Sequence, residues 1–237
     1  SRMTVRVSHS LKIPEFEDVT AKELEEEKNN DITLLRLSYP ETITKQQEID
    51  AVLASFDTAN NSIITIAQLC NAYIFNNFIY TKGITNIATT IDEILELKKG
   101  VCQDFAHVLI QFLRTAGIPS RYVSGYICPN ESGLRGEGAT HAWVEIYSPT
   151  QGWLGLDPTN NIWTMANHVK LSVGRNFYDC TLIKGTFKGL ARQTLSVSVS
   201  IGYEDGRHYE EMNDVQLEEM PQEINEQINH IEQQQQQ

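Results

Sequence analysis

The sequence has no long apolar run, no close cysteine pair and no surplus of basic residues. No stretch of about 18 apolar residues occurs in the 237-residue chain, so we expect no membrane-spanning helix. The four cysteines form no CxxC pair, which argues against the common structural zinc sites, and a disulfide framework is not expected at this length. The formal net charge of -12 argues against nucleic acid and anionic membranes as main partners, because a phosphate surface requires basic residues.

The composition and the first residues of the chain indicate the class of protein and its compartment. A hydrophobic content of 41% is ordinary for a globular protein, and the length suits one large domain. The first residues lack the basic and then apolar layout of a signal peptide, so we expect a cytoplasmic protein. The chain begins with Ser1 rather than Met, which leaves room for a natural start further upstream.

The hydrophobic pattern divides the chain into a helical first half and a strand-rich second half. Residues 1–8 alternate like a half-buried strand, and the acidic segment 21–43 is predicted to be a linker. Apolar stripes with start and stop signals then predict three helices. The first begins at Thr44, which forms a capping-box pattern with Gln47, and the second covers 62–77. The third begins at Thr90, with Glu93 in its capping box, and stops at Gly100.

A fourth helix is predicted directly after Gly100. Apolar residues recur at a 3-4 spacing from Phe105 to Ala116, and Gly117 and Pro119 end the pattern. Cys102 therefore lies in the first turn of this helix, three residues before Phe105 and on the same buried face.

After Pro119 the hydrophobic period changes from helical spacing to two. Strands are predicted over 121–127, 141–147, 152–157 and 195–203, and the stretch from His168 to Gly174 also alternates. The segment 207–237 is an acidic, glutamine-rich tail, to which we assign no function.

Cys102 is a candidate nucleophile because of its place at a helix N-terminus. A thiol reacts as its thiolate, and the free N–H groups of a first helical turn stabilise that negative charge. The same N–H groups can also receive a developing oxyanion. By contrast, a cysteine within an apolar helix, such as Cys70, is interpreted as a small core residue.

Among the six histidines, His141 is the best candidate for a base that acts on Cys102. It opens a predicted strand after a glycine-rich loop. His107 shares the helix of Cys102, but its offset of five residues turns it to another side. His168 begins an alternating stretch, where a structural role is as plausible as any other. Three further histidines lie in polar surroundings near the chain ends, where a solvated ring is the default: His9, His208 and His230.

Asp157 is the candidate that would orient His141. If Tyr147 pairs with Trp153, the strands 141–147 and 152–157 form a hairpin that puts His141 and Asp157 on one face as diagonal neighbours. Such neighbours are about 7–8 Å apart at Cα, within reach of an imidazole–carboxylate hydrogen bond. A slip of one residue in the turn would place them on opposite faces.

These three residues are the components of a Cys–His–Asp acyl-transfer site. Cys102 would attack a carbonyl carbon, and His141 would take and return the proton. Asp157 would fix the imidazole tautomer and favour its charged form. Pro158 directly follows Asp157 and is expected to end the strand there.

Three sequence blocks, in this order, resemble the core of the transglutaminase-like superfamily, in particular its bacterial members described as cysteine proteases: GVCQDFAHVLIQFLRTAGIPSRYVSGY, HAWVEIY and GWLGLDPTNN. The resemblance covers roughly residues 60–190. It implies a papain-like α+β fold in which the Cys-bearing helix packs on an antiparallel sheet. It also places Cys102, His141 and Asp157 at the positions of the family's nucleophile, base and third member.

The resemblance implies a domain organisation as well. Bacterial relatives usually carry a β-rich domain before the core, so we interpret residues 1–20 as a remnant strand of such a domain and 44–206 as the catalytic core. The sequence has neither the paired cysteines of the zinc-containing relatives nor a calcium loop of the D-x-D-x-D-G type. We therefore expect no metal and no other cofactor.

Hydrolysis of an amide bond in a protein or peptide substrate is the expected reaction. Transamidation and a catalytically silent binding domain stay open as alternatives, and so does the oligomeric state. Tyr80 and Gln103 are further candidates for oxyanion or substrate contacts. Three tryptophans are candidates for the lining of an acyl-binding cleft: Trp143, Trp153 and Trp163.

Overall fold

The computed structural model describes most of the chain between residues 19 and 181. The described residues are 4–5, 19, 21–128, 134–135, 140–181, 197–202 and 208–213. The helices are α1 (Ala21–Asn30), α2 (Ile32–Leu37), α3 (Gln46–Ser55), α4 (Ile63–Asn77), α5 (Ile91–Leu97) and α6 (Cys102–Thr115). The strands are β1 (Ile79–Tyr80), β2 (Lys99–Gly100), β3 (Ser120–Ile127), β4 (Thr140–Ser148), β5 (Gly152–Asp157), β6 (Ile162–Trp163), β7 (His168–Gly174), β8 (Val197–Gly202) and β9 (His208–Asn213).

A five-stranded sheet forms the centre of the fold, in the order β6-β5-β4-β3-β7. Every neighbouring pair in it is antiparallel. The alternating patterns of the second half of the chain therefore form strands as predicted, and the long helix α6 packs on one face of their sheet. The predicted α+β architecture is confirmed.

The hydrophobic core lies between α6, α4 and this sheet face. Phe105, Leu109 and Leu113 of α6 are fully buried, and they belong to one core cluster with Val144 and Ile146 of β4. Burial of each such side chain contributes about 1.5–3 kcal/mol. Ala142, Val144 and Ile146 are the alternate residues of β4 that face this cluster.

The segment 21–43, predicted to be a linker, instead contains the two helices α1 and α2. Leu24 and Leu34 are buried in it, and Asp31 caps α2 by accepting the Thr33 N–H at 2.7 Å. The ammonium group of Lys28 donates to the carbonyl oxygen of Gly117 at 3.2 Å. The sequence pattern did not indicate these helices, because the acidic residues face solvent and hide the few apolar positions that attach them to the core.

Arg114 ties three distant segments to the end of α6. Its side chain is almost fully buried, at 2% exposure. It donates to the carbonyl oxygens of Leu37, Ser120 and Arg175, at 3.0, 2.9 and 2.6 Å. A buried guanidinium has to be compensated in this way, because an unpaired buried charge is strongly destabilising.

The start of α3 differs from the prediction. The helix begins at Gln46, and its N-cap residue, Lys45, makes no side-chain capping hydrogen bond. Instead, the carboxylate of Asp92 accepts the backbone N–H groups of Thr44 and Lys45, at 3.0 and 2.8 Å. The predicted capping box of Thr44 and Gln47 is therefore replaced by a long-range contact from α5.

The segment that leads into α6 has well-defined ends. The capping box of Thr90 and Glu93 is present in α5 as predicted. Lys98, rather than Gly100, ends α5 in the left-handed conformation with φ 49°. Residues 99 and 100 then form β2, which pairs in parallel with β1, so Tyr80 lies opposite Gly100. This short pair places Tyr80 beside the entry to α6.

The ends of the chain are described only in part. Thr4 and Val5 are the described residues of the predicted first strand, and both are exposed and outside any strand. The predicted strand 195–203 is observed as β8, which pairs with β9. β9 lies in the segment predicted to be a tail. No helix in the described part of the chain has the length and apolar composition needed to cross a membrane.

Candidate active site

Cys102 is the first residue of α6, and it is half-buried. Its N-cap neighbour, Val101, has no polar side-chain atom, so it cannot accept the N–H groups of the first turn as Ser or Asp would. The positive end of the helix dipole therefore lies beside the thiol without a competing cap. This arrangement confirms the position predicted for Cys102 from the helical spacing.

A buried carboxylate fixes the backbone just before Cys102. Asp104 is 2% exposed and accepts the Val101 N–H at 2.7 Å and the Thr85 hydroxyl at 2.6 Å. Burial raises the pKa of Asp104, and the two hydrogen bonds only partly oppose this. A Cβ atom on Gly100 would lie 2.5 Å from the Asp104 Oδ2 atom, so only glycine fits at that position.

His141 and Asp157 form a fully buried pair. The His141 Nε2 atom lies 2.9 Å from the Asp157 Oδ2 atom, and both side chains are 0% exposed. The hairpin has the predicted register, with Tyr147 opposite Trp153 and Val144 opposite Leu156. The sequence therefore predicted this contact correctly.

The imidazole of His141 is placed between the Asp157 carboxylate and the Cys102 thiol. Burial alone would lower the pKa of His141, but the Asp157 carboxylate and the Cys102 thiol outweigh burial and raise it to about 10. Nε2 is bonded to Asp157, and Nδ1 has no hydrogen-bond partner of the usual geometry among the described residues. Nδ1 is therefore the nitrogen left to face the Cys102 thiol.

The Asp157 carboxylate accepts several hydrogen bonds besides that of His141. Its Oδ1 atom accepts the Thr159 N–H at 2.9 Å, and its Oδ2 atom accepts the Asn160 amide at 2.7 Å. The His168 Nε2 atom lies 3.3 Å from the same Oδ2. Burial alone would raise the pKa of Asp157, but His141, His168 and Asn160 hold it well below its usual range.

His168 and Asn160 are the site residues that the sequence did not identify. Asn160 could have been found from its position, because an amide three residues after the aspartate can fold back onto it. His168 could not, because its contact with Asp157 depends on β7 lying at the edge of the sheet next to β3. The predicted strand at His168 is observed, but the residue is part of the site and not only of the strand.

Asn71 of α4 fixes the turn that follows Asp157. Its amide nitrogen lies 3.1 Å from the Asn161 Oδ1 atom and 3.5 Å from the Asp157 carbonyl oxygen. Asn161 has a positive φ of 53°, a conformation that asparagine tolerates better than most residues. The helix α4 thus holds the backbone from which the carboxylate projects.

The two histidines and Asp157 also have the side chains that bind metal ions. One ligand atom from each lies within 4.8 Å of the others. In the structure, however, Oδ2 accepts hydrogen bonds from both imidazoles and from Asn160, and these donors occupy the directions that a cation would need. We therefore interpret this group as a hydrogen-bond network, and we assign no metal to it.

The remaining site candidates have mixed outcomes. Tyr80 lies near the start of α6, with its ring edge-on to Phe105 at 6.2 Å, and Gln103 is half-buried in the first turn. Trp143, by contrast, is 2% exposed and packs against His141 and His168, which corrects the expectation that it lines an open cleft.

The two other tryptophans are only partly buried. Trp153 stacks with Arg121, whose guanidinium carbon lies 3.9 Å from the ring centre. Trp163 lines a cavity of about 260 Å³ together with Asn71 and Asn161. Neither contact assigns an acyl-binding role to these rings.

The other cysteines are in environments that suppress ionisation. Burial raises the pKa of Cys70 to about 12, and burial also raises the pKa of Cys128 and of Cys180. The core role predicted for Cys70 is confirmed by its 0% exposure. Cys102, by contrast, lies beside the His141 imidazole and contributes to the raised pKa of that ring.

Comparisons with known proteins agree with these features. Residues 50–158 match the sequence model of the transglutaminase-like superfamily. An uncharacterized protein from Mycobacterium leprae is 38% identical over 125 residues, which cover 52% of this chain and 44% of that protein. A protein-glutamine gamma-glutamyltransferase from Pseudomonas aeruginosa is 36% identical over 104 residues, which cover 41% of this chain and 16% of that protein. The matches thus span less than half the length of these relatives.

One solved structure shares the fold over most of the chain. It is described as "a Putative Cysteine Protease from Cytophaga hutchinsonii", and it superposes with a TM-score of 0.53 at 22% identity. The superposition covers 81% of this chain and 59% of that one. The resemblance inferred from the three sequence blocks is confirmed, and so is the fold that it implied.

Proposed function

Since residues 50–158 match the sequence model of the transglutaminase-like superfamily, we propose that this chain is a cysteine-dependent acyl-transfer enzyme that hydrolyses amide bonds in peptides or proteins. One observation carries the proposal. The buried imidazole of His141 is held by Asp157 through Nε2, its pKa is raised to about 10 by Asp157 and Cys102 despite burial, and its Nδ1 atom has no hydrogen-bond partner of the usual geometry among the described residues.

The proposed reaction has two halves. The Cys102 thiolate attacks the carbonyl carbon, a C–S bond forms, and the C–N bond breaks as the leaving amine takes the Nδ1 proton of His141. Water then attacks the thioester, His141 accepts a proton from that water, and the carboxylic acid leaves as the C–S bond breaks. Asp157 keeps the proton on Nε2 throughout and stabilises the positive ring.

The oxyanion of each tetrahedral intermediate would lie at the start of α6. The backbone N–H of Cys102 and that of Gln103 are its proposed donors, because Val101 offers them no side-chain acceptor. The hydroxyl of Tyr80 is proposed as a second type of donor, since the pairing of β1 with β2 places this residue opposite Gly100. These roles fit the position of each residue relative to the thiol.

Thiol alkylation tests the proposed nucleophile without knowledge of the substrate. Iodoacetamide at pH 7 should modify Cys102 faster than the other cysteines, with sites assigned by peptide mass spectrometry. Cys128 is the matched control, because it is also only half-buried but burial raises its pKa. Equal rates at Cys102 and Cys128 would contradict the proposal.

Transamidation is the second candidate reaction, and the relative from Pseudomonas aeruginosa supports it by its name. The thioester step is common to both reactions, and only the acceptor that resolves it differs. Incubation with a glutamine-containing peptide and a labelled primary amine would separate them. Amine incorporation without hydrolysis would favour transamidation, and release of peptide fragments would favour hydrolysis.

A silent binding domain is the third candidate, from a different functional class. Its Cys102 would have no reason to react faster than Cys128. The same alkylation measurement therefore separates a binding domain from both enzymes. The contact of buried His141 with Asp157 and the effect of Cys102 on the pKa of His141 support an enzyme.

A further inference from the structure

His168 and His141 both contact the same carboxylate oxygen of Asp157. The two Nε2 atoms lie 3.3 and 2.9 Å from the Asp157 Oδ2 atom, and both rings are buried. The rings are not stacked on each other, since their centres are 6.2 Å apart and their planes meet at 63°. Both imidazoles therefore compete for one oxygen.

The tautomer of His168 follows from its other nitrogen. The Met165 N–H donates to Nδ1 at 3.1 Å, so Nδ1 carries a lone pair and the ring proton is on Nε2. The Asn167 amide oxygen is also 3.1 Å from Nδ1. The Asn167 Nδ2 atom has no hydrogen-bond partner among the described residues. If the amide is rotated by half a turn, its NH2 group faces Nδ1 of His168, and Nδ2 gains an acceptor. The neutral Nε2–H form satisfies every contact.

We propose that His168 donates its Nε2–H to Asp157 and so shares the carboxylate with His141, which limits how tightly His141 holds its proton. His168 is then a positioning residue, since it acts through Asp157 and touches no reacting atom. The inference rests on the proposed function, because a general acid has to release its proton to the leaving amine during each turnover.

The expected direction follows from the protonation states of the pair. When His141 is neutral, no positive ring offsets the negative charge of the Asp157 carboxylate. In that state a hydrogen bond from His168 stabilises the carboxylate most. Removal of that donor therefore makes loss of the His141 proton harder, and the pKa of His141 should rise above the wild-type value. A purely structural role predicts the opposite, because loosened packing would move Asp157 away from His141 and lower this pKa.

Other charged groups near Asp157 do not change this direction. Among the described residues, His141 on β4 and His168 on β7 are the titratable groups that bond the carboxylate, and Cys102 of α6 acts through His141. From α4 the nearest group is Asn71, whose neutral amide reaches the Asp157 carbonyl oxygen. Asn160 is neutral as well, and it stays in place in the variants described next.

A matched pair of variants tests the proposal. His168→Gln places an amide N–H near the position of the ring Nε2–H, and His168→Met has a similar shape without a donor. Nitrogen-15 NMR of labelled histidines would follow the titration of His141. We expect its pKa in H168M to be higher than in wild type by about one unit, a tenfold change in proton affinity, and H168Q to stay near wild type.

Two results would overturn the proposal. One is an unchanged or lowered pKa of His141 in folded H168M, and the other is a wild-type spectrum in which His168 carries its proton on Nδ1. The second measurement needs no variant, so it decides the question even if H168M fails to fold. Alkylation of Cys102 in the wild-type protein is scored separately, and its failure would contradict the proposed function but not the tautomer of His168.

Discussion

The substitution Asp157→Asn removes the charge that orients and protonates His141. Oδ2 accepts hydrogen bonds from His141, His168 and Asn160, whereas Oδ1 accepts only the Thr159 N–H among the described residues. The amide oxygen of the variant therefore takes the Oδ2 position, and its NH2 group loses the bond to Thr159. Nε2 of His141 keeps its acceptor, but the neutral amide no longer favours the ring in its charged form.

The size of the effect follows from the environment of His141. Its pKa of about 10 exceeds the ordinary value of 6.5 despite burial. At about 1.4 kcal/mol per unit, this difference corresponds to ~5 kcal/mol in favour of the charged ring. Asp157 supplies the larger share and Cys102 the rest. Loss of even half of this stabilisation shifts the equilibrium between the thiolate–imidazolium pair and the neutral pair about 10²-fold towards the neutral pair.

The assay is the rate of iodoacetamide modification of Cys102 at pH 7. We expect D157N to react about 10²-fold more slowly than wild type. Glu145→Gln is the matched control, because Glu145 is a nearly buried carboxylate on the same strand as His141 but bonds Arg121 and Lys170, each at 2.8 Å. If folded D157N reacts within threefold of wild type, Asp157 does not control the thiol, and the proposed triad is wrong.

Three further predictions concern other parts of the site. Burial lowers the pKa of His107 to about 4, so the folded protein loses stability as pH falls from 6.5 towards 4, because only the unfolded chain takes up the proton. His107→Gln keeps an acceptor for the Phe177 N–H and should remove at most about 3 kcal/mol of this loss of stability. Urea unfolding at pH 7 and 4.5 measures it, and an unchanged pH dependence would contradict the lowered pKa of His107. Gly100→Ala forces a Cβ atom onto the Asp104 carboxylate and should cost about 1–3 kcal/mol in thermal unfolding and slow the alkylation of Cys102. Tyr80→Phe keeps the ring on its neighbours but should lower turnover of a labelled protein substrate at least about tenfold, with alkylation unchanged; equal turnover would remove Tyr80 from the oxyanion site.

The sheet and the contact between His141 and Asp157 could be predicted because their signals are local. Strands β4 and β5 are joined by a short turn, so one register assumption fixed which residues share a face, and His141 and Asp157 followed from it. The start of α6 was equally clear, because Gly100 and the spacing from Phe105 define it. In each case neighbouring residues in the sequence determine the geometry.

The parts that could not be predicted depend on contacts between distant segments. α1 and α2 are held by buried Leu24 and Leu34 and by the bond from Lys28 to Gly117, which no local pattern reveals. His168 contacts Asp157 because β7 pairs with β3, and a strand pattern does not name its partner. Sequence periodicity assigns a face to a residue, but tertiary packing decides which residues meet there.

The buried guanidinium of Arg114 sets a lower limit on the smallest fragment that can fold. Two of its three carbonyl acceptors, those of Leu37 and Arg175, lie outside the family-matched segment 50–158. Excision of that segment alone would strand a positive charge inside the protein. A minimal autonomous version of this protein would therefore have to start before α2 and continue past β7, and a library trimmed to the family boundaries would select against the wild-type arginine.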